Sequence, residues 1–402
     1  MTSPALPDPF ADPRTLELTA FGVPVRIPVG GRGRDEAAEQ ILTAWARCGV
    51  REISPAEAAA EFSGASLGAV LDPDETVHEL AWEKGAAAAE TTEILASVLT
   101  SAVTMKAIEA ARAKLVMIHA AGLADLETGR TAIFVGASGA GKSTVSRTLG
   151  KHFGYVSDET IAFTEQRGVL PYPKPLALMP TDRDWGKIQH SPESLGLLAA
   201  PADLSLGAIV FLSRSADGPQ TPEVREVPVA EAIALIGGQT SYFAELDRPL
   251  HRIAELIRSA GPAVQISYRE AGDLLPVLTD LLARPLPAEP PPAPEVPPSL
   301  AELDYDVEPF GKRFTSSELI DFYVDDDAAV ALTLDGRAVV LSALASRVMT
   351  LIGEGETTVA HLAAVLTDEF GEPPVDYDNP AMRLADDVVA DLIGNGLVYH
   401  LD

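Results

Sequence analysis

The chain has 402 residues, 47% of them hydrophobic, and a net charge of −29. This length predicts two or three domains. The acidic charge argues against nucleic acid and anionic membrane surfaces as main partners, and it favours a basic peptide or protein. The single cysteine, Cys48, excludes an internal disulfide framework; it is expected to be buried and fits a reducing cytoplasm.

The first region, residues 1–110, is predicted to be an α+β lobe without recognisable chemistry. Residues 1–13 are proline-rich and acidic, which is not the pattern of a signal peptide. A hairpin is predicted over residues 16–29 with its turn at Gly22, and helices over 35–46, 55–62 and 87 to about 115. Charged residues interrupt the apolar stretch 91–121, so no membrane span is expected.

A complete phosphate-binding loop follows a predicted strand at residues 132–135. The loop and its first helical residue are Gly136, Ala137, Ser138, Gly139, Ala140, Gly141, Lys142, Ser143 and Thr144. The glycines let backbone N–H groups point at anionic oxygens, and the helix over 144–149 adds positive potential at its start. Lys142 is expected to reach the terminal phosphates and Ser143 to bind Mg²⁺. The alternative, a glycine-rich turn with a surface lysine, fits this strand–loop–helix context less well.

Short strands are predicted after the loop, at residues 154–159, 160–163 and 169–172, with a turn at 166–168. They suggest a meander around the loop, whereas a parallel-sheet P-loop enzyme more often alternates helices and strands. A further buried strand is predicted at 206–212.

Phosphoryl transfer requires an acidic group near the metal. The strand at 206–212 ends in Ser213 and Arg214, so the better candidate is Asp158, with Glu159 beside it, as a metal ligand or as the base for an attacking hydroxyl. The alternative is that Asp158 caps a turn. His119, at the end of a strand predicted over 115–119, either faces the same phosphates or is an ordinary core residue.

Further cations are weaker candidates. Lys174, between Pro173 and Pro175, either adds positive charge near the phosphates or is an exposed loop lysine. Arg248 and Arg252 are further candidates for cations near the phosphates, but arginines are common at protein surfaces. Residues 235–239 resemble the signature loop of ABC transporter ATPases but lack its serine, and they are predicted to be a helix end followed by a glycine turn.

Residues 285–299 contain eight prolines and predict a semi-rigid polyproline II linker. At ~3.1 Å per residue it would span roughly 40 Å. The linker separates a nucleotide-binding domain at 111–284 from a C-terminal domain at 300–402.

The C-terminal domain is predicted to begin with a hairpin over 329–334 and 337–341, turning at Asp335 and Gly336. Helices are predicted over 342–352, 358–370 and 381–393, with Thr358 as an N-cap, and a last strand over 397–400. From residue 313 to 402 there are 4 Lys or Arg and 17 Asp or Glu, so this part is disproportionately acidic.

Residues 118–120, the loop 136–143 and residues 156–159 together resemble the catalytic core of the HPr kinase/phosphorylase family, over about residues 100–285. The resemblance implies a PEP carboxykinase-like fold that uses ATP and Mg²⁺ and assembles into oligomers. It implies that Lys142 and Ser143 hold phosphate and metal, that Asp158 is the base and a metal neighbour, and that His119 lies in the site. Glu159 stands where the family usually has a second aspartate, and the family's arginine-bearing glycine motif is not evident.

Residues 313–402 resemble a PqqD-type peptide-recognition domain in their hairpin, helices and apolar positions. Such winged-helix-like domains bind the leader of a ribosomally made precursor peptide, usually as a strand added beside the hairpin. The alternative, a winged helix that binds DNA, is disfavoured by the acidic charge.

Together these patterns predict a mixed α/β (α+β) protein. It would have an N-terminal lobe, a PEP carboxykinase-like P-loop core and a winged-helix-like C-terminal domain. The leading hypothesis is an ATP- and Mg²⁺-dependent kinase for a Ser or Thr hydroxyl of a precursor peptide whose basic leader binds residues 313–402. Its catalytic residues would be Asp158, Lys142, His119 and Glu159, with Ser143 and Asp158 at the metal. The alternatives are an ATP-binding scaffold that presents the peptide to other enzymes, and a kinase for a small metabolite.

Overall fold

The computed structural model describes residues 8–164, 168–180, 187–287, 313–325, 328–353, 357–374 and 378–401. The chain forms two compact units. The first comprises Met1–Glu226, Gln239–Tyr242 and Ala260–Leu286; the second comprises Val227–Gly238, Phe243–Ser259 and Pro287–Asp402. Helices and strands alternate irregularly in both units, which makes the protein mixed α/β as predicted.

The helices and strands up to residue 226 are, in chain order, β1 (Arg14–Ala20), β2 (Val23–Gly30), α1 (Arg34–Ala44), β3 (Arg51–Ile53), α2 (Pro55–Ala59), β4 (Ala65–Ser66), β5 (Ala69–Leu71), α3 (Glu75–Glu83), β6 (Ala87–Ala89), α4 (Thr92–Ala110), β7 (Val116–Ile118), β8 (Ala120–Ala124), β9 (Arg130–Val135), α5 (Lys142–Leu149), β10 (Gly154–Ser157), β11 (Ile161–Phe163), β12 (Val169–Leu170), β13 (Leu176–Leu178), β14 (Ile188–His190), β15 (Leu198–Ala199), β16 (Ser205–Arg214) and β17 (Glu223–Glu226).

The remaining elements are α6 (Val229–Gly237), α7 (Pro249–Ala260), β18 (Val264–Tyr268), α8 (Leu274–Ala283), β19 (Arg313–Ser316), β20 (Leu319–Asp325), β21 (Ala328–Thr333), β22 (Ala338–Ser342), α9 (Ala343–Gly353), β23 (Thr357–Thr358), α10 (Val359–Phe370), α11 (Pro380–Gly394) and β24 (Val398–Leu401). Among the described helices, none combines the length and the hydropathy that crossing a membrane requires.

The N-terminal part of the first unit is a sheet with strand order β3-β1-β2-β5-β6, covered by α1 and α4. The predicted hairpin at 16–29 is confirmed as β1 and β2. Its apolar residues share one core with Met117, Ala162 and Tyr172, which lie beyond residue 110 in the sequence. The predicted domain boundary near residue 110 therefore falls inside this unit, and the lobe and the nucleotide-binding residues are packed together.

The helix predicted from residue 87 begins later, at Thr92, with the Thr91 side chain accepting a hydrogen bond from the Ile94 N–H. Residues Ala87–Ala89 instead form β6, which pairs in parallel with β5. Alanine favours helices, but these three are almost fully buried, and sheet packing overrides that preference. Helix α2 likewise ends at Ala59, short of the predicted Phe62.

The central sheet of the first unit has strand order β15-β10-β8-β9-β16-β18-β17. Strands β9, β16 and β18 run parallel to one another, and β8 pairs antiparallel with β9 on one side and with β10 on the other. The predicted meander after the loop is wrong in one respect, because its strands divide between two sheets. Strand β10 lies in the central sheet, whereas β11 and β12 pair with β7 in a separate sheet. A sharp change of direction after β10 therefore follows Ser157.

The second unit contains the sheet β20-β21-β22, the sheet β23-β19-β24 and helices α9, α10 and α11 around one core. The predicted hairpin is confirmed as β21 and β22, but its turn contains three residues. The Thr333 N–H donates to the Arg337 carbonyl, and Gly336 has φ +83°. This is the geometry of a hairpin with a glycine bulge. Thr358 caps α10 as predicted, by accepting from the His361 N–H.

Helices α6 and α7 precede the predicted linker, yet they belong to the second unit. Helix α6 packs on β21 and β22. Helix α7 contacts β20 through Arg258, which donates to the Tyr323 hydroxyl at 2.8 Å. The end of α6 at Gly237 confirms that residues 235–239 are a helix end and a glycine turn. Residues 288–299 of the predicted linker lie outside the described residues. The same is true of residues 166 and 167 of the turn predicted at 166–168.

The Asp321 carboxylate fixes the start of α7 to β20. It accepts from the Leu250 N–H at 2.9 Å and lies 3.0 Å from His251 Nδ1, with its side chain only 8% exposed. Burial opposes ionisation, but the His251 and backbone contacts outweigh it and hold the pKa of Asp321 below its ordinary value of 3.8. Because the pKa is lower in the folded state, the carboxylate stabilises the fold at pH values above its ordinary pKa of 3.8. This stabilisation is lost as the pH falls through the pKa of the folded state.

An Asp321→Asn variant is therefore expected to loosen α7 and β20 at neutral pH by about 1–2 kcal/mol, which corresponds to about 5- to 30-fold faster amide exchange. Hydrogen exchange with mass spectrometry, on peptides that cover α7 and β20, measures this ratio. The ratio should shrink towards one as pH falls below 3.8. Glu318→Gln, at an exposed position next to β20, is the control and should leave the exchange unchanged. A pH-independent ratio would contradict the role given to the ionised Asp321 carboxylate.

Candidate functional site

The phosphate loop runs from the end of β9 to the start of α5, as the sequence predicts. Helix α5 begins at Lys142, directly after Gly141, whose φ is +98°. A Cβ atom at Gly141 would also lie 2.8 Å from the Tyr268 hydroxyl. Glycine is required here for both reasons, because the backbone is left-handed and the space beside it is filled. The first turn of an α-helix has N–H groups without partners inside the helix, so the start of α5 beside this loop is a favourable place for an anion.

Lys142 is almost fully buried and lies over its own loop. Its Nζ donates to the carbonyl oxygens of Gly136 and Ala137, the latter at 3.2 Å. Burial lowers the pKa of Lys142 from its ordinary value, although Asp158 and Glu159 act in the opposite direction. The ammonium group is therefore held by two carbonyls that phosphate oxygens can replace as stronger, charged acceptors.

Asp158 follows β10 at the change of direction and is 6% exposed. Its Oδ2 accepts a hydrogen bond from Ser143 Oγ at 3.2 Å. Its Oδ1 lies 3.0 Å from Lys174 Nζ and 3.1 Å from the Tyr155 hydroxyl. The structure thus brings together Ser143 and Asp158, which are fifteen residues apart in the sequence. The turn itself is held by Ser157, whose Oγ accepts from the N–H groups of Glu159 and Thr160.

The Ser143–Asp158 pair fits the donor preferences of Mg²⁺. Both ligands are oxygen atoms, and Mg²⁺ typically takes one or two carboxylates and completes its shell with phosphate oxygens and water. Among the described residues there is no group of three or more His, Cys, Asp or Glu that would hold a metal alone. Ser143 Oγ and Asp158 Oδ2 would therefore hold the ion together with the bound nucleotide.

His119 lies between β7 and β8. The strand predicted over 115–119 is present as β7, but a further strand, β8, separates His119 from β9. Its N–H donates to the Gln239 carbonyl at 2.7 Å, and its ring lines the same cleft as Lys142. Burial and the nearby Lys142 lower the pKa of His119 below its ordinary value of 6.5. The imidazole is neutral at pH 7 and is therefore available to share a proton or to accept a hydrogen bond.

Lys174 is not an exposed loop residue, since only 2% of its side chain is accessible. Its Nζ lies 3.0 Å from Asp158 Oδ1 and 3.0 Å from Glu159 Oε2. Burial disfavours the charged form, but the two carboxylates outweigh it and raise the pKa of Lys174. The sequence left open whether this lysine lies near the phosphates or is exposed, and the flanking prolines were the signal that its backbone position is fixed.

These groups surround a cleft of about 640 Å³, a size that suits a nucleotide-sized ligand. Helix α4 lines one side of the cleft with hydroxyl groups, at Ser97, Thr100 and Ser101. Gln189 on β14 also lines it, and the buried Oε1 of Gln189 has no hydrogen-bond partner among the described groups. The α4 hydroxyls were missed from the sequence, although polar residues at 97, 100, 101 and 104 follow the helical repeat.

The charge of the cleft is opposite to that of the chain. Its lining contains four cations and two carboxylates, namely Lys142, Arg147, Lys174, Lys187, Asp158 and Glu159. An anionic ligand is therefore favoured here within a protein of net charge −29. Arg248 and Arg252 belong to the second unit and are not among the residues that line this cleft.

No protein-family model matches the chain, and no curated protein matches it. Among solved structures, the chain is similar to the Hpr(Ser) kinase/phosphatase from Coxiella burnetii. The sequence identity is 16%, the match covers 41% of this chain and 92% of that chain, and the TM-score is 0.24. These values assign no family, and the chemistry of the cleft rests on the geometry of its own residues.

Proposed function

We propose that the protein is an ATP- and Mg²⁺-dependent kinase that phosphorylates a Ser or Thr hydroxyl of a ribosomally synthesised precursor peptide. The observation that carries the phosphotransferase part is the Ser143 Oγ–Asp158 Oδ2 contact of 3.2 Å at the start of α5. It joins a phosphate loop, a buried lysine and a carboxylate in one cationic cleft. Phosphoryl transfer depends mainly on such positioning and charge.

In the proposed reaction, residues 136–144 hold the phosphates and Lys142 offsets charge on the transferred group. Bound Mg²⁺ would neutralise the phosphate oxygens and orient them. The acceptor oxygen forms a bond to the γ-phosphorus, the bond from that phosphorus to the β,γ-bridging oxygen breaks, and ADP leaves. Asp158 takes the hydroxyl proton, and the neutral His119 in the same cleft orients the acceptor hydroxyl.

The peptide part of the proposal is supported by the second unit. Strand β22 is an edge of the sheet β20-β21-β22, and residues 338–340 line a groove together with Ala234, Gly237 and Asn395. An exposed edge with an adjacent groove suits an extended peptide that adds a strand. The acidic character of residues 313–402 favours a basic leader. Leader binding would raise the local concentration of the acceptor at the cleft.

The test uses the full chain, Mg²⁺, γ-labelled ATP and candidate precursor peptides taken from the short reading frames beside its gene. We expect one labelled phosphate on a Ser or Thr of the peptide core, located by mass spectrometry. The same peptide without its leader should react about 10²-fold more slowly at equal concentration, because tethering is lost.

Two outcomes favour the other candidates. Tight ATP and peptide binding without any phosphopeptide would contradict the kinase and leave a scaffold. Transfer of label to small hydroxyl compounds, with none to the peptide, would point to a metabolite kinase.

A further inference from the structure

A buried ammonium group lies between the two carboxylates of the cleft. Lys174 Nζ is 3.0 Å from Asp158 Oδ1 and 3.0 Å from Glu159 Oε2, and it also donates to the Pro175 carbonyl at 3.1 Å. The side chains of Lys174 and Asp158 are 2% and 4% exposed. These three contacts use the donors of one –NH₃⁺ group. The ammonium is therefore a fixed part of the site and not a mobile surface charge.

The local sequence holds Lys174 in this position. Proline follows both Tyr172 and Lys174, and a residue before proline is restricted to extended conformations. The Tyr172 N–H donates to the Val156 carbonyl at 2.9 Å, which aligns the segment with β10. The Tyr172 hydroxyl is hydrogen-bonded to Thr104 Oγ1 at 2.9 Å, within the core of the N-terminal sheet. Backbone and core packing thus fix the lysine independently of its ion pairs.

This arrangement gives the two oxygens of Asp158 different environments. Oδ1 faces Lys174 and the Tyr155 hydroxyl, whereas Oδ2 faces Ser143. The Tyr155 hydroxyl also lies 3.2 Å from the Lys174 carbonyl, so the tyrosine joins the same cluster. One carboxylate oxygen is thus occupied by one ammonium group and one hydroxyl donor, and the other contacts the Ser143 hydroxyl at the phosphate loop.

We propose that Lys174 is a positioning residue whose ammonium group occupies the cation position between Asp158 and Glu159. The site therefore accepts a single divalent cation together with the nucleotide, and this cation binds at Ser143 Oγ and Asp158 Oδ2. This inference rests on the proposed function for the role of that cation. Two carboxylates without Lys174 would form a cation site of their own, because their charges would be uncompensated. With Lys174 in place, a dication between them is repelled by a fixed positive charge within a few ångströms.

The test is Mn²⁺ binding to the full chain without nucleotide, measured by electron paramagnetic resonance. We expect the native protein to bind Mn²⁺ weakly and Lys174→Met to bind it about tenfold or more tightly, because a repulsive charge is removed from a carboxylate pair. Adding Asp158→Asn to Lys174→Met should abolish the gain. Lys187→Met removes another cation of the same cleft and should show no gain. Equal Mn²⁺ affinity of Lys174→Met and the native protein would overturn the proposal.

A second measurement needs no variant and covers the case in which Lys174→Met fails to fold, as judged by circular dichroism. The native chain with a non-hydrolysable ATP analogue should bind one Mn²⁺ per chain at saturation. Two Mn²⁺ per chain would overturn the proposal. Absence of phosphoryl transfer to peptide would contradict the proposed function alone, since neither Mn²⁺ experiment depends on turnover.

Discussion

Asp158→Asn is expected to lower the rate of phosphoryl transfer by about 10³-fold, the middle of the range for removal of a general base. The substitution keeps the shape of the side chain but removes the charge that the Ser143 hydroxyl and Lys174 both contact. Asparagine cannot take the acceptor proton, and it is a weaker ligand for Mg²⁺ than a carboxylate. The KM for Mg²⁺ should therefore rise together with the fall in kcat, as measured by label transfer from γ-labelled ATP.

Asp203→Asn is the matched control, because Asp203 is exposed and does not line the cleft. It should keep the native rate within about twofold, as surface substitutions usually do. An Asp158→Asn enzyme with a native rate would show that Asp158 serves only the local turn after β10.

Lys142→Met is expected to have a comparable effect through a different step. The buried ammonium is the cation closest to the loop carbonyls that the phosphates would face, and its loss removes charge stabilisation worth about 10²–10³ in rate. Calorimetric titration should also show about tenfold or more weaker binding of the triphosphate, and a smaller change for the monophosphate.

Lys151→Met tests whether this effect is specific to the loop. Lys151 is exposed, lies beyond the C-terminal end of α5 and does not line the cleft, so the variant removes an equal charge away from the loop. Triphosphate affinity should stay native in Lys151→Met. Equal losses in the two variants would mean that bulk charge and not the loop governs binding.

Local sequence was sufficient for the elements that place the phosphates. The spacing of Gly136, Gly141 and Lys142 determines a strand, a loop and a helix start within one continuous segment, and the structure has each of them. Asp158 could also be predicted from the sequence, because it follows the loop after one helix and one short strand. The hairpin of the second unit and the Thr358 cap were predicted for the same reason, since both depend on neighbours in the sequence.

Features that depend on distant contacts were not predictable in this way. The three alanines of β6 carry a helical preference that only the neighbouring strand overrides. Whether Lys174 was exposed depended on β10 and the N-terminal core, which lie far from it in the sequence. The sequence could not predict that α6 and α7 belong to the second unit. The pattern of an amphipathic helix shows which of its faces is apolar, but it does not show which element packs on that face.

The membership of α6 and α7 in the second unit also limits which experiments are informative. Removing residues 300–402 would uncover the face of α6 that packs on β21 and β22 and would break the contacts of Asp321 with α7. Such a truncation would report on misfolding as well as on peptide recognition. Leader-free peptide with the intact chain separates the two effects.

The most direct test of the central claim is a crystal structure of the full chain with a non-hydrolysable ATP analogue and Mn²⁺, located by its anomalous scattering. We expect the phosphates on residues 136–144 and one Mn²⁺ about 2 Å from both Ser143 Oγ and Asp158 Oδ2. Lys142 Nζ should have moved from the Gly136 carbonyl to a terminal phosphate oxygen. Phosphates bound away from this loop, or Mn²⁺ that contacts neither Ser143 nor Asp158, would contradict it.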